Sequence, residues 1–212
     1  MKHTIALYLH QPKCSVQSGN GIIKSLENNY NFKIFTKHEV ENDFFDNVDI
    51  VCFPGGLGDV DSFESLTKAN RKRINRFMKD GGKYLGICMG AYWAGDEYFG
   101  YLKDVEVEQY IRRPNTDTRR PHAKNLDVEW LGEPYKMFFY DGCAFGPGQY
   151  EIVAKYKNDD PMAIIQGNVG LIGCHPESQL SWYDSYSWMR GKYHNGQKHK
   201  LLLDFTNKLM GG

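Results

Sequence analysis

Residues 83–95 read Lys-Tyr-Leu-Gly-Ile-Cys-Met-Gly-Ala-Tyr-Trp-Ala-Gly, and no other stretch limits the fold so tightly. A short apolar run ends in Gly86-Ile87-Cys88-Met89-Gly90, and a segment of helical character follows. The order strand, elbow, helix is the arrangement that lifts a nucleophile out of a sheet at a sharp turn, here with Cys where Ser is commoner. Such a turn strains the nucleophile's own backbone. It also leaves no room for a Cβ on the neighbours that face the strand and the helix, so a glycine belongs on either side.

The first half of the chain alternates strand and helix around this turn. Residues 4–9 read as a buried strand, and 21–28 as a helix through Ile22, Ile23 and Leu26. Residues 32–35 and 48–53 read as the next two strands, the second ending in Pro54-Gly55-Gly56. The clearest helical pattern spans 62–79, with Phe63, Leu66, Ile74, Phe77 and Met78 on one face. Ser62 is its expected N-cap and Gly81-Gly82 its stop. Residues 83–87 form the fourth strand. This alternation predicts an α/β fold whose mainly parallel sheet is covered on both faces.

Beyond residue 101 the pattern changes. Residues 105–111, 126–131 and 136–140 have strand character, and a polar, basic loop separates the first two. We expect an inserted β/loop segment near 101–140, or a switch to antiparallel strands. Residues 151–156, 162–166 and 169–174 read as a meander, with turns at 158–161 and 167–168. An amphipathic helix at 200–210 carries Leu201, Leu202, Phe205 and Leu209. There is no repeat, linker or low-complexity tract, so residues 1–212 read as one domain.

Lys plus Arg and Asp plus Glu both number 26, so no net charge draws the chain to nucleic acid or to an anionic membrane. No run approaches the roughly 18 apolar residues of a membrane span. The first ten residues lack the long apolar core and cleavage site of a signal peptide. The five cysteines, at 14, 52, 88, 143 and 174, are odd in number and lack metal-ligand spacing. They predict free thiols in a reducing, cytoplasmic setting. The seven histidines show no metal spacing either, and neither a metal nor another cofactor is expected.

Three groups carry the chemistry. Cys88, at the start of a helix, becomes a nucleophile if a base or the helix dipole favours its thiolate. The alternative is a buried Cys in a Gly-rich turn. His175 and Glu177 follow the last strand of the meander in Cys174-His175-Pro176-Glu177. At i and i+2 their side chains leave one face, Pro176 stiffens the pair, and Glu177 can fix the imidazole tautomer that faces the thiol. The alternative is a strand-end His beside a surface Glu. The amide of Gly56, or of Gly55, together with that of Met89 would form an oxyanion hole; the alternative is an ordinary Gly turn. Tyr140, Asp141 and Gly142 open a Gly-rich loop that either lines the pocket or is a plain loop. Arg112, Arg113, Arg119, Arg120, His122 and Lys124 make a basic loop, either solvated or gripping a phosphate or carboxylate. Cys143 and Cys174 read as structural thiols, or as redox partners of Cys88.

In this order, Phe-Pro-Gly-Gly, Gly-Ile-Cys-Met-Gly and Cys-His-Pro-Glu resemble the class I glutamine amidotransferase-like superfamily. The longer strings at 52–56, 81–94 and 139–145 are similar to the N-terminal amidotransferase-like domain of biotin–protein ligases, in a stand-alone form. The resemblance implies a three-layer, flavodoxin-like sandwich. It also implies Cys88 as nucleophile, His175 as base, Glu177 as its orienting partner, and Gly56 with Met89 as oxyanion donors. It does not imply biotin transfer, which belongs to a separate ligase domain. The sequence departs from glutaminases after the elbow, where Tyr92 and Trp93 stand in place of Gln, and at Leu171-Ile172-Gly173-Cys174 before His175.

Three functions follow as expectations. The first is a cysteine-dependent amidase or amidotransferase acting on a small-molecule amide-type substrate, with an acceptor enzyme in trans if ammonia is the useful product. The second is a non-catalytic binding or regulatory module, and the third a thiol-redox protein. Neither nucleic acid nor membrane is an expected partner, and the oligomeric state is left open.

Overall fold

The computed structural model describes residues 2–10, 15–57 and 59–211. Five parallel strands form one half of a nine-stranded sheet: β1 (Thr4–Tyr8), β2 (Asn31–Phe35), β3 (Ile50–Phe53), β4 (Lys83–Ile87) and β11 (Val169–Ile172). Their spatial order is β2-β1-β3-β4-β11. The sheet continues in antiparallel fashion through β10 (Pro161–Gln166), β9 (Glu151–Tyr156), β6 (Lys124–Trp130) and β7 (Glu133–Phe139). A small separate pair joins β5 (Val107–Gln109) to β8 (Cys143–Phe145).

Strand residues alternate between two apolar layers. Ile5, Leu7, Ile50, Cys52, Leu85 and Ile87 face the layer that holds residues of α1 (Val16–Leu26) and α6 (Gln197–Met210). Ala6, Tyr8, Val51, Phe53 and Tyr84 face the layer that holds residues of α2 (Val60–Glu64), α3 (Lys68–Lys79) and α4 (Met89–Trp93). The period-2 pattern therefore buries both faces of the parallel strands, and the molecule is a three-layer α/β sandwich. No helix among the described residues is long and apolar enough to cross a membrane.

Three expectations are revised. The pattern at 62–79 is two helices, not one. Asp59 caps α2, its carboxylate accepting the Ser62 N–H at 2.7 Å and the Ser62 hydroxyl, so Ser62 lies inside that helix and is not its cap. Thr67 is extended (ψ 148°) and caps α3 by accepting the Asn70 N–H at 3.2 Å. Leu66, fully buried, faces the core at the break, so the apolar face runs on while the backbone does not. The first helix starts at Val16, five residues before its expected start, because Ser15 caps it. The strand expected at 105–111 shrinks to three residues and then turns into a short 3-10 segment (Tyr110–Arg112). Near 101–140 the expected switch to antiparallel strands is present, with β6 and β7 extending the main sheet.

The basic loop is mostly spent on internal bonds. Arg113 pairs with Asp160 (3.0 Å) and Glu108 (2.9 Å), Arg119 donates to the Arg113 carbonyl (2.9 Å), and Lys124 to the Asp117 carbonyl (3.0 Å).

Candidate active site

β3, β4 and β11 end side by side, and the turns that leave them build the site. Cys88 follows β4 with φ 49° and ψ −102°, a backbone that residues with a Cβ rarely adopt. Neighbouring elements hold it there. Its N–H donates to the Ile172 carbonyl (2.8 Å), the Gly90 N–H to the Pro54 carbonyl (3.2 Å), and the Tyr84 hydroxyl to the Gly90 carbonyl (2.6 Å). A Cβ on Gly90 would collide with the carbonyl of Phe53, and one on Gly86 with the carbonyl of Gly90. Strand, turn and helix therefore touch through bare backbone, which is why the elbow carries two glycines.

His175 lies just past β11, its N–H bonded to the Phe138 carbonyl at 2.9 Å. Its Nδ1 faces Glu177 Oε1 at 2.9 Å, and its ring lines the same small cavity as the Cys88 side chain. All three groups are buried: Cys88 is 6%, His175 5% and Glu177 0% exposed. Burial by itself would lower the His175 pKa. The Glu177 carboxylate, then the Cys88 sulfur, outweigh that and raise it from 6.5 to about 10. Imidazolium is thus the favoured form at neutral pH, and it stands beside the sulfur.

Ser18, which the sequence reading passed over, closes the arrangement. Its hydroxyl, fully buried on α1, donates to Glu177 Oε1 at 2.7 Å and accepts the Gly55 N–H at 2.9 Å. Gly55 therefore has no amide to offer an oxyanion. It serves instead as a bare wall, since a Cβ there would sit 2.6 Å from His175 Cε1. Among the described residues, no backbone or side-chain acceptor meets the amides of Gly56 and Met89.

The loop after β7 covers the thiol. The Tyr140 carbonyl lies 3.8 Å from the Cys88 Sγ, and the Tyr92 hydroxyl ties this loop to α4 by donating to the Asp141 carbonyl (3.2 Å). Asp141 has a positive φ of 55° and accepts from Gln109 Nε2 at 2.9 Å. Burial raises its pKa, against the Gln109 bond and Arg112. Gly142 is buried and packs on Gly173, where a Cβ would meet the Gly173 carbonyl; it lines neither cavity beside the thiol. Cys52, Cys88, Cys143 and Cys174 are free thiols, and Cys14 lies outside the described residues. Burial holds Cys143 and Cys174 protonated, well above the ordinary thiol range, which leaves them inert beside Cys88.

Two cavities meet at the sulfur. One, of about 220 Å³, contains His175, Ser18, Gly55, Phe138 and Trp182 in its wall. The other, of about 1020 Å³, runs along α4 past Met89, Tyr92, Asp141 and Arg112. Gly56, Cys88 and Tyr140 belong to both. Trp182 and the smaller cavity had no sequence signal, because residues 178–199 carry no motif.

Residues 11–110 match the family described as biotin-protein ligase, N terminal, a span that includes Gly55, Gly56, Cys88 and Met89. No curated protein matches the sequence. Solved structures share the fold across nearly the whole chain. PurLQS from Thermotoga maritima superposes with a TM-score of 0.66 at 15% identity, over 99% of this chain and 100% of that one. A glutamine amidotransferase from the same organism gives 0.67 at 15% identity, over 99% and 97%. The protein SMU.1228c gives 0.69 at 12% identity, over 98% and 99%. These likenesses show that the chain has the class I glutamine amidotransferase fold.

Proposed function

We propose that this chain, a class I glutamine amidotransferase-like fold resembling the biotin-protein ligase N-terminal domain, is a cysteine-dependent hydrolase of a carboxamide or related acyl group. One observation carries the reading. A buried imidazole, held at Nδ1 by Glu177, shares a small cavity with a thiol whose backbone is strained into an elbow. A structural cysteine needs none of these three features.

In this reading the Cys88 sulfur, paired with the His175 imidazolium, attacks the carbonyl carbon. The amides of Gly56 and Met89 receive the developing oxyanion. The imidazolium gives its proton to the leaving nitrogen as the C–N bond breaks, which leaves a thioester on Cys88. His175 then takes a proton from water, which releases the acid and restores the thiol. Glu177 keeps the ring oriented and charged, and Ser18 keeps Glu177 in place. Tyr140 and Asp141 flank the substrate. If ammonia is the useful product, an acceptor enzyme has to receive it in trans.

The test is ammonia or amine release from a panel of glutamine, asparagine and simple amides. We expect release by wild type and none by Cys88→Ala, with His175→Ala lowering it by about 10²–10⁴-fold. Equal release by wild type and Cys88→Ala overturns the reading. So does iodoacetamide labelling of Cys88 at an ordinary thiol rate, with a pH profile unchanged in His175→Ala.

A further inference from the structure

The two cavities divide the surroundings of the Cys88 sulfur unequally. His175 lines only the smaller one and Met89 only the larger one. In acyl transfer the leaving nitrogen must lie against the group that protonates it, while the carbonyl oxygen lies against the oxyanion donors. The nitrogen, with whatever is bonded to it, therefore faces the smaller cavity. Ammonia would leave most of that space empty: about 220 Å³ stands there, against roughly 30 Å³ for a molecule the size of water. A cavity of about 150 Å³ already holds benzene when its walls are apolar.

The walls suit such a group. Phe138, Tyr140, Trp182 and Tyr186 supply aromatic surface, which shares the wall with Ser and Gln side chains, and among the described residues no Asp, Glu, Lys or Arg lines the space. Phe138 and Trp182 stand edge-on to the His175 ring, at 6.0 Å and 74° and at 5.3 Å and 72°. The aromatic surface therefore begins where the departing nitrogen must sit.

We propose that the substrate is an N-substituted amide whose amine half carries an apolar, ring-sized group seated against Phe138 and Trp182, and that the first product is that amine rather than ammonia. The proposal rests on the hydrolase reading and narrows it. The reaction balances as amide plus water giving carboxylic acid plus amine. The C–N bond breaks as the C–S bond forms, the imidazolium proton goes to nitrogen, and water then cleaves the thioester.

Glutamine, asparagine and acetamide, each compared with its N-benzyl amide, test this. Benzylamine release should exceed ammonia release from the matching primary amide by at least about tenfold in kcat/KM. Trp182→Ala should remove that preference through KM. Primary amides cleaved as well as their N-benzyl partners, in a Cys88-dependent way, would overturn the proposal and leave the hydrolase reading intact. A binding measurement on the unmodified protein stands apart from turnover. N-benzylacetamide should change a tryptophan fluorescence signal that is absent in Trp182→Phe, and acetamide should not. That change without any turnover would keep the aromatic amine pocket and overturn the hydrolase reading. Absence of both the change and the turnover would overturn the amine pocket as well.

Discussion

Glu177 Oε1 is the most heavily used atom of the site, taking hydrogen bonds from His175 Nδ1 and from Ser18 Oγ in a fully buried setting. Its neighbour Oε2 is buried with no hydrogen-bond partner among the described residues. The charge of Glu177 is therefore directed at the imidazole. Glu177→Gln should drop the His175 pKa from about 10 toward 6.5, read as the imidazole chemical shift against pH; an unchanged midpoint would detach the two groups. The same raised pKa sets a stability trend. The folded state holds the His175 proton more tightly than the unfolded state does. The stabilisation is therefore complete below about pH 6.5 and fades as the pH climbs to about 10. The difference in unfolding free energy between wild type and His175→Gln should shrink across that window, and a constant difference would refute it. Ser18→Ala strips a partner from a buried carboxylate and from the Gly55 amide, and should cost about 1–3 kcal/mol in denaturant unfolding. Cys88, His175 and Glu177 were legible in the sequence because their types and spacing are chemically unusual. Ser18 was not, because its role depends on packing across 159 positions of chain.

Among elements, the strands were easier to read than the helix ends. Buried strands announce themselves as apolar runs, and β1, β3, β4, β9, β10 and β11 fell close to where those runs stand. Helix boundaries depend on a single cap, and the α2–α3 break shows how an apolar stripe hides one. Phe63, Leu66, Ile74 and Phe77 keep a helical rhythm across it, while Thr67 turns the backbone away. The signal was present in Thr67 and Asn70 but weaker than the stripe. Thr67→Ala should cost about 1 kcal/mol, visible as a lower denaturant midpoint with an unchanged m-value. The elbow is less forgiving than a cap. Gly90→Ala sets a methyl group against the Phe53 carbonyl at a point held from three sides, and a loss of about 1–3 kcal/mol is expected together with slower labelling of Cys88. A variant as stable and reactive as wild type would mean that the turn has slack.

At the scale of the whole molecule, a formal charge of zero conceals an uneven distribution. Among the described residues, the larger cavity is lined by Asp59, Asp96, Glu97, Glu106, Glu108 and Asp141, with Arg112 as its only lining Lys or Arg. The field at its mouth should favour cations even though the composition does not. Aminoethyl methanethiosulfonate should label Cys88 several-fold faster than its sulfonatoethyl counterpart, after correction against a small free thiol. The ratio should fall as salt rises past about 0.15 M. A ratio independent of salt would show that this charge does not reach the sulfur. One feature of the elbow also reaches the whole molecule. A Cys at φ 49° and ψ −102° holds a conformation that costs side-chain-bearing residues on the order of 1–3 kcal/mol, and a glycine escapes it. A library of variants sorted only for heat resistance should therefore accumulate Gly at position 88. One sorted for thiol chemistry should keep Cys there. The fold and the work it does pull on that single codon in opposite directions.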